Sequence, residues 1–516
     1  MTIFSTGAGV FISMAVGFLS APISLNYWKE EKFAILSIII SLITYLSVSS
    51  LGLNSAAATL IAKNKDFEDK IKILKKSFHF LIILVILFII TLFFIQKNTS
   101  NWIFIFGKIS PDLVGEVSYA TFLMAFFFFI NLPFSLISSA LFGFQKVYID
   151  KAFNTFSAIL NFIILLLIVY LKESLIFFSL LSGLSNLLIS MIRSFYFYFF
   201  IYKKESNFIH NKINYSKNPE TSLSYIVKTG LKMFSINLAA MVIWNTDNIV
   251  IAHFIDIKKV TPYSLTYKFY NLIFTLLIII NTAINPIIGK EIANKNWEWL
   301  DKVFNHFLVI VAFFGGLTWL GGILFAKDFI YLWIGNQGYA GLMVCFFLGG
   351  YSYLMIVINL NSMLLTSMNY LNNIPIISWA ESLLNIGLSI FLLRFFHLGG
   401  VAMGTFLGSL LTTAWLFPLL IQKKMKNKIN CNFSFIFKHF LILILPLLFL
   451  SLWIQLSVNF LYLRIVFGAI IILIYLIFSY KIIPKETKYF LIENIILILN
   501  KLNLKKISIF FEKIKK

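Results

Sequence analysis

Four cationic side chains lie inside hydrophobic stretches of the sequence: Arg193, Lys228, Lys232 and Lys268. An ionisable residue in a membrane span costs a few kcal/mol or more and usually faces a water-filled interior. A guanidinium suits a bidentate phosphate contact. Lys228 and Lys232 are four residues apart, so both lie on one face of a helix and can point at the same group. We therefore predict that these four residues form a cationic binding site.

Each cation also has a simpler explanation. Lys228 and Lys232 lie within about ten residues of the end of their hydrophobic stretch, so their stems could carry the ammonium groups to the membrane interface. Arg193 could instead pair with a group on a neighbouring helix. Lys268, near the other end of its span, could be a structural or interfacial cation. The residue types alone leave these alternatives open.

Two carboxylates, Asp247 and Glu381, also fall inside hydrophobic stretches. Desolvation favours the protonated form of a carboxyl group and a nearby lysine favours the charged form, so a site balanced between them can respond to ion binding. Both residues are therefore candidates for coupling to a proton or sodium gradient. Alternatively, Asp247 forms an ion pair with Lys268 or Lys258, and Glu381 makes a polar contact near the end of its helix.

Several asparagines in the spans could bind sugar hydroxyls, although intramembrane amides more often join helices to each other. They are Asn26, Asn161, Asn186, Asn285 and Asn385. The two cysteines suggest neither a disulfide framework nor a metal site, because Cys345 lies in an apolar block and Cys431 in a lysine-rich loop. We expect no metal and no cofactor apart from a coupling ion.

The composition shows what must position these residues. The chain of 516 residues is 59% hydrophobic and 12% charged, with 58 Phe and a formal charge of +22. Soluble domains are about 45 to 50% apolar and about 25% charged, so an ordinary soluble enzyme is excluded. The lysines are scattered between hydrophobic blocks and form no contiguous basic face, which argues against nucleic acid. The predicted fold class is an all-α polytopic membrane protein.

Hydrophobic runs long enough to cross a bilayer indicate fourteen spans. The first, after residue 4, is read as a span and not as a removed signal peptide. The predicted spans are 5–26, 33–60, 77–96, 117–144, 152–171, 174–202, 222–254, 262–289, 303–326, 338–367, 373–394, 398–421, 439–459 and 462–482.

The distribution of Lys and Arg predicts the orientation. The even-numbered connections and the C-terminal tail hold 29 of these residues. The odd-numbered connections hold 10, if Arg464 is counted with them. Positive residues are retained on the cytoplasmic side, so both termini should be cytoplasmic. The tail interleaves Ile and Leu with lysines and is predicted to be a basic amphipathic helix on anionic membrane lipids.

A weak internal repeat suggests a duplicated helix set, as in many transporters. The segment Ile61 to Lys70 resembles Ile292 to Lys302, and a second pair of similar segments, within and after spans 4 and 10, has nearly the same separation. The offset corresponds to six spans. Because six is even, the two halves would share one orientation.

Four segments resemble the polysaccharide flippases of the multidrug, oligosaccharidyl-lipid and polysaccharide exporter superfamily, which includes O-antigen transporters. Ala21 to Lys63 is similar to the family's opening, with a proline, a short charged loop and a Leu-Gly-Leu turn, although Phe33-Ala34 replaces a common Tyr-Gly pair. Trp244 to Asn271 is similar to the family's seventh span, in which an Asp is followed by an aliphatic run and a Tyr-containing segment. Asn281 to Ala293 and Phe396 to Leu411 resemble the proline of span 8 and the small-residue start of span 12.

The resemblance implies two six-helix lobes in a V around a central cavity, plus two C-terminal helices. It also implies a bacterial inner-membrane flippase for undecaprenyl-pyrophosphate-linked oligosaccharide, possible contact with a polysaccharide polymerase and a chain-length regulator, and no enzymatic activity. The expected organisation is an N-terminal lobe (1–202), a cytoplasmic linker (203–221), a C-terminal lobe (222–421), two additional helices (422–483) and the tail (484–516).

Two other functions compete with this one. A multidrug cation exporter of the same superfamily should have an acidic cavity, whereas here buried cations outnumber buried carboxylates by four to two. A membrane glycosyltransferase or polymerase needs an acidic metal or sugar-nucleotide site, or a substantial outer loop that carries one. The sequence contains no Asp-x-Asp motif and its longest outer loop is short. Lipid-linked oligosaccharide transport is therefore the favoured interpretation.

Overall fold

The computed structural model describes residues 2–64, 66–97, 106, 109–204, 219–368, 373–425, 433–458, 460–490 and 492–493. Within these residues every regular element is a helix. The helices are α1 (Thr2–Leu46), α2 (Leu53–Lys63), α3 (Phe67–Gln96), α4 (Val114–Asn131), α5 (Ser135–Gly143), α6 (Val147–Leu171), α7 (Leu175–Phe197), α8 (Leu223–Phe254), α9 (Val260–Ala293), α10 (Trp297–Ile334), α11 (Leu342–Ser367), α12 (Ile374–Phe396), α13 (Leu398–Leu411), α14 (Thr413–Lys424), α15 (Phe433–His439), α16 (Leu445–Ser457) and α17 (Leu461–Ile482).

The all-α polytopic fold class is confirmed, but the number of fourteen spans is not. The described residues contain 12 helical segments that are long and apolar enough to cross a membrane. One of them, Gly9–Ser50, covers most of the first two predicted spans. Helix α9 corresponds to predicted span 8 and is not among the 12; its side chains are described only in part.

Helix α1 is long enough for two spans because it contains a sharp break. Its 45 residues would extend about 67 Å at 1.5 Å per residue, roughly twice the hydrocarbon thickness of a bilayer. Lys29 interrupts the helix with φ 62° and ψ −178°. This position falls between the first two predicted spans, so the sequence located the boundary but predicted a loop where the chain makes an abrupt bend.

The chain divides into two compact units, each assembled from segments that are distant in sequence. The first unit contains Met1–Lys268, Ile330–Ala340 and Ile374–Gly408, and the second contains Phe269–Phe329, Gly341–Asn373 and Ser409–Lys516. The first unit therefore holds helices α1 to α8, α12 and most of α13. All six residues predicted to carry function lie in the first unit.

In the first unit, α8 runs antiparallel to α1 and α2. The Asn248 amide donates to the Ser41 hydroxyl at 3.2 Å, and nearer the start of α8 the backbone at Gly230 meets the turn at Gly52. Gly52 has φ +70°, and a Cβ there would lie 2.1 Å from the carbonyl oxygen of Gly230. Glycine is required because no side chain fits in this backbone contact.

The second unit is joined by hydroxyl-to-carbonyl hydrogen bonds between its helices. The Tyr475 hydroxyl donates to the Phe313 carbonyl at 2.6 Å, and the Tyr270 hydroxyl donates to the Cys345 carbonyl at 2.9 Å. Gly316 lies close to the same tyrosine ring, since a Cβ there would be 2.5 Å from the Tyr475 hydroxyl. These contacts hold α17 on α10 and α9 on α11.

Two helix boundaries recur at the offset of the predicted repeat. Helix α2 ends at Lys63 and α3 begins at Phe67; α9 ends at Ala293 and α10 begins at Trp297, each 230 residues later. Other predictions fall largely outside the described residues. They concern most of the linker (residues 205–218), the lysine-rich loop around Cys431 (426–432) and most of the amphipathic tail (491 and 494–516).

Candidate functional site

Arg193 lies near the end of α7 and is nine-tenths buried, with 7% of its side chain exposed. Its Nη1 donates to Asp150 Oδ1 at 2.9 Å and to Asn154 Oδ1 at 3.3 Å. Its Nη2 donates to the Ser190 hydroxyl at 3.4 Å, whereas its buried Nε has no hydrogen-bond partner. Both acceptors on α6 lie within the first two turns of that helix. The alternative that Arg193 pairs with a neighbouring helix is therefore observed.

The sequence of α7 explains why the guanidinium points inward. The buried side of the helix includes Ser179, Ser182, Ser190 and Arg193, at spacings that repeat about every turn or two. The opposite side exposes large apolar side chains: Phe177, Leu184, Leu188, Ile192 and Phe195. Such a helix buries its polar stripe against neighbouring helices and exposes its apolar side, the arrangement suited to lipid surroundings.

A polar pocket of about 230 Å³ lies beside Arg193, between α1, α4, α6 and α7. We call it the Arg193 pocket. Its apolar side is formed by Ile43, Met124, Phe127, Phe128 and Ile189, and its polar side by Asn131, Asn154, Ser157, Ser182, Asn186, Ser190 and Arg193, with Gly183 between them. The Oδ1 atom of Asn131 is buried without a hydrogen-bond partner.

Amides and hydroxyls of α6 and α7 form a small network at one side of the pocket. Ser157 donates to Asn186 Oδ1 at 2.5 Å, and Asn161 Nδ2 donates to the same oxygen at 3.0 Å. Ser185 donates to Asn161 Oδ1 at 3.2 Å. Asn161 and Asn186 thus join two helices, the more common use of such residues, while Asn186 also lines the pocket.

Lys228 and Lys232 are both exposed near the start of α8 and do not line the Arg193 pocket. Gly230, between them, packs on the turn at Gly52. Residues two positions before and after it project about 160° away on the helix, so the two lysines share the opposite face. The predicted one-face arrangement is observed, and no contact of either ammonium group is found among the described residues.

Lys268 lies apart from these groups, with its ammonium 5.2 Å from the centre of the Phe33 ring. This distance is typical of a cation–π interaction. Phe33 itself belongs to a buried apolar cluster with Ala21, Leu25 and Leu265. The structure therefore places Lys268 against an aromatic face and outside the lining of the Arg193 pocket.

Asp247 is buried on α8 and accepts hydrogen bonds from two hydroxyl groups. Tyr263 donates to Oδ2, and Thr405 lies 3.1 and 3.2 Å from the two carboxylate oxygens. Lys258, one of the cations considered as its partner, lies instead 4.0 Å from Glu31. Asp247 is thus held by neutral donors on α9 and α13, which leave its charge uncompensated by them.

Glu381 is 3% exposed on α12 and does not border the Arg193 pocket. One turn later on the same helix, both amide atoms of Asn385 are buried without a hydrogen-bond partner. Gly408 packs closely against the backbone of Asn385, since a Cβ there would lie 3.0 Å from Asn385 Cα. Of the six predicted site residues, only Arg193 lines the pocket. The described residues contain no group of three or more His, Cys, Asp or Glu arranged for a metal ion.

Two acidic partners, Asp150 and Asp328, are not among the residues predicted from the sequence, and one cation, Arg464, lies in a helix and not in the predicted loop. Asp150 was placed before the predicted start of span 5 at residue 152, but α6 begins at Val147 and includes it. Arg464 was counted among the loop cations, but it lies in α17, is 10% exposed and pairs with Asp328 at 2.9 Å. The sequence does contain a signal for Arg464. This residue lies three positions after the start of α17, and small and apolar residues follow it at helical spacing.

A family model described as "Polysaccharide biosynthesis protein" matches residues 2–292, more than half of the chain. The chain belongs to this family. A second model, MatE, matches residues 233–391. A protein of Salmonella typhi named "Putative O-antigen transporter" is 25% identical over 427 residues, which are 81% of this chain and 94% of that protein.

Solved structures share the fold of this polysaccharide biosynthesis protein. The lipid II flippase MurJ in an inward closed conformation has a TM-score of 0.66 at 16% identity, covering 92% of this chain and 98% of its own. An inward-facing multidrug resistance MATE transporter also has a TM-score of 0.66, at 15% identity, with coverage of 80% and 95%. The predicted relation to the polysaccharide flippases, and the prediction of a transporter and not an enzyme, are confirmed.

Proposed function

We propose that this protein translocates lipid-linked oligosaccharide units across the bacterial cytoplasmic membrane for the assembly of a surface polysaccharide. The observation that carries the proposal is the Arg193 pocket, a set of amides, hydroxyls and one buried guanidinium inside a bundle of membrane helices. Ionisable and polar side chains inside a membrane protein cost free energy to bury, and they usually belong to a substrate pathway. Family membership and the name of the Salmonella relative support the same function.

The substrate headgroup explains why such a lining is needed. A sugar loses its hydrogen bonds to water when it enters an apolar medium, at a cost of several kcal/mol per unsatisfied group. A protein that moves sugars through a bilayer must therefore replace those hydrogen bonds. The competing multidrug-cation function is favoured by the MatE match, but the residues that line the pocket include no carboxylate that could bind a cationic substrate.

In the proposed orientation both termini, and the ends of α7 and α8 that carry Arg193 and Lys228, face the cytoplasm. The excess of Lys and Arg, 29 against 10, supports this orientation. The Arg193 pocket would then lie on the side from which the glycan is collected. The two six-helix lobes, the linker, the two additional helices and the membrane-bound tail remain parts of the proposal, as do contacts with a polymerase and a chain-length regulator.

We propose undecaprenyl pyrophosphate as the lipid carrier and Lys228 with Lys232 as the residues that meet its pyrophosphate. These ammonium groups are exposed, lie on one helix face, and belong to the end of α8 assigned to the cytoplasm. Arg193, in contrast, already has an acidic partner. Lys268 keeps its contact with Phe33 and would help only if it left that ring.

For coupling to an ion gradient we propose Asp247, with Glu381 as the second candidate. Asp247 has two hydroxyl donors and is buried, so proton or sodium binding would neutralise its charge without breaking an ion pair. In vesicles with an imposed proton or sodium gradient, flipping of a fluorescent lipid-linked oligosaccharide should respond to one gradient. Asp247→Asn should abolish that response, whereas a response equal to that of the unmodified protein would contradict the assignment.

Deletion of the gene tests the function itself. We expect the surface polysaccharide to disappear and complete lipid-linked repeat units to accumulate in the membrane. Polysaccharide that persists after deletion would contradict the proposal, and altered drug tolerance with intact polysaccharide would favour multidrug export. Shortened lipid-linked units would instead indicate a glycosyltransferase.

Complementation of the deletion strain then tests the two lysines. The Lys228→Gln/Lys232→Gln variant should restore about tenfold less polysaccharide, because loss of charge-assisted contacts to a phosphate weakens binding by this order. The control is Lys481→Gln/Lys485→Gln, a second exposed pair four residues apart, which should restore the wild-type level. Equal restoration by both variants would remove Lys228 and Lys232 from the site.

A further inference from the structure

We propose that the Arg193 pocket is a subsite for one uncharged sugar residue of the translocated glycan, and not for its pyrophosphate. This inference rests on the proposed function and deepens it. The sequence suggested one cationic site for the whole headgroup, whereas this inference assigns the phosphate and the sugar to separate sites. The phosphate would be met elsewhere, whereas the pocket would recognise hydroxyl and acetamido groups.

The charge of the pocket argues for a neutral ligand. Arg193 is paired with Asp150 at 2.9 Å, so the positive charge has a negative neighbour, and an anion entering here would approach that carboxylate. Together the two groups offer both hydrogen-bond donors and acceptors in fixed planes. A sugar hydroxyl, which donates one hydrogen bond and accepts two, can use both kinds of group at once.

The pocket is also amphipathic in the manner of a sugar ring. Asn154, Ser157 and Asn186 present amide and hydroxyl groups from α6 and α7, while Phe127 and Phe128 present aromatic rings from α4. A pyranose has hydroxyl groups around its rim and apolar C–H groups on its faces. Ligand pockets typically combine apolar and aromatic walls with a few placed polar groups, and this one matches a small polar ring.

The volume limits the occupant to about one ring. The pocket has a volume of about 230 Å³. Sites that enclose a drug-sized ligand are larger, about 300–1,000 Å³. A whole oligosaccharide would therefore extend beyond the pocket, and about one of its residues would be held here.

Two buried polar atoms at the pocket have no partner in the protein. They are the Oδ1 of Asn131, at the end of α4, and the Nε of Arg193. Buried polar atoms are nearly always hydrogen-bonded, and an unsatisfied one destabilises the fold. An unpartnered Nε is also found at Arg464, but Asn131 lines the Arg193 pocket, and its open acceptor points to a ligand that donates a hydrogen bond there.

The variant Asn131→Leu separates ligand binding from folding. If Asn131 were only structural, loss of an unsatisfied acceptor should leave thermal stability unchanged or raise it, with normal transport. We expect the same stability but a fall in surface polysaccharide of about tenfold in the complemented deletion strain, since one hydrogen bond to the substrate is lost. The matched control is Asn361→Leu, because Asn361 also has a buried, unpartnered Oδ1 but lies outside the pocket. It should support wild-type polysaccharide.

Asn154→Ala serves as the second variant if Asn131→Leu does not reach the membrane. Asn154 lines the pocket from an exposed position, where substitutions are usually tolerated by the fold. A clear fall in polysaccharide at normal protein abundance supports the subsite. Wild-type polysaccharide from the first of these variants that is present in the membrane overturns it.

A charge-neutral double variant distinguishes a sugar from an anion. Arg193→Gln alone leaves Asp150 without its cation and should reduce polysaccharide by about tenfold or more. Adding Asp150→Asn restores a neutral pair of planar hydrogen-bonding groups, and we expect most of the lost polysaccharide to return. An anion site would lose Arg193, the cation among the described residues that line the pocket, in both variants. A double variant as defective as the single one would therefore overturn the sugar assignment.

These outcomes are distinct from failure of the proposed function. If gene deletion leaves the surface polysaccharide intact, the transport function is wrong. If deletion removes the polysaccharide while Asn131→Leu and Asn361→Leu restore it equally, transport stands and only the sugar subsite is wrong.

Discussion

Two buried arginine–aspartate pairs in this protein have nearly the same geometry and very different surroundings. Arg193 meets Asp150 at 2.9 Å with 7% and 14% of the side chains exposed, and Arg464 meets Asp328 at 2.9 Å with 10% and 16% exposed. The Nε of each arginine lacks a partner. Distance and burial therefore do not distinguish the pair at the proposed sugar subsite from the other pair.

The residues that share a helix face with each arginine do differ. On α7 the face that contains Arg193 includes Ser182, Asn186 and Ser190, all of which line the pocket. On α17 the residues buried with Arg464 are Gly468, Ile471, Tyr475 and Ser479, most of which pack against other helices. A buried ion pair surrounded by amides and hydroxyls indicates a binding site. A buried ion pair surrounded by close apolar packing indicates a structural contact between helices.

The largest effect on stability is expected from removing one partner of either pair. Arg193→Leu and Arg464→Leu each leave a buried carboxylate without its cation, which typically destabilises a protein by about 3–5 kcal/mol. Both variants should unfold at clearly lower temperature in detergent, and by similar amounts. A large drop for one variant and none for the other would mean that the two pairs are not equivalent in folding.

Apolar replacement of both partners should then separate the two pairs. Buried ion pairs replaced by well-packed apolar residues are often neutral or stabilising, so both double Leu variants should regain most of their thermal stability. We expect Arg464→Leu/Asp328→Leu to restore surface polysaccharide in the deletion strain. Arg193→Leu/Asp150→Leu should remain at least about tenfold defective, because the pocket has lost donors and acceptors that water cannot replace. Equal polysaccharide from both doubles would contradict the distinction.

A glycine on each of the two helices gives a smaller, matched test. A Cβ at Gly183 would lie 2.4 Å from Cδ2 and 2.9 Å from Cβ of Phe127, which lines the pocket. A Cβ at Gly468 would lie 3.0 Å from the far edge of the Phe325 ring. Gly183→Ala should therefore cost about 1–3 kcal/mol by overpacking, with lower melting temperature and less polysaccharide.

For Gly468→Ala we expect almost no net change. The ring edge of Phe325 can move by a few tenths of an ångström, and the gain in helix propensity of about 1 kcal/mol offsets the remaining contact. Thermal unfolding of the two alanine variants measures the difference directly. A destabilisation by Gly468→Ala as large as that by Gly183→Ala would show that neither helix tolerates closer packing.

The sequence predicted the fold class and many helix positions because hydrophobic length is a strong signal. The last predicted span, 462–482, corresponds to α17, Leu461–Ile482. The ends of the helices were predicted less accurately, and the error at one of them left the contact between Arg193 and Asp150 unpredicted. Predicted span 5 began at residue 152, whereas α6 begins at Val147, and those five residues include Asp150. The acidic partner of Arg193 was therefore assigned to a loop.

Side-chain direction was the second limit of sequence reasoning. The spacing of Lys228 and Lys232 correctly placed both on one helix face, but only the contact of Gly230 with Gly52 determines where that face points. The Arg193 pocket could not be predicted for the same reason. Its walls come from α1, α4, α6 and α7, and the approach of these helices depends on tertiary packing that the periodicity of a single helix does not contain.

An exposed ion pair gives the smallest expected effect and calibrates the two buried ones. Lys63 donates to Glu220, with 62% and 23% of their side chains exposed, and this hydrogen bond raises the pKa of the Lys63 ammonium. Because the folded-state pKa is raised, any stabilisation is complete below the unfolded value of about 10.4 and is lost as the pH rises through the folded-state value.

Lys63→Met should therefore lower the melting temperature only slightly near neutral pH, and the difference from the unmodified protein should vanish in strongly alkaline buffer. It should also shrink between about 0.1 M and 1 M salt, where the Debye length falls from about 10 to 3 Å. The buried pairs are screened much less, so Arg193→Leu and Arg464→Leu should keep their effects in high salt. If salt reduced all three effects alike, solvent would have to reach Arg193 and Arg464 as freely as it reaches Lys63.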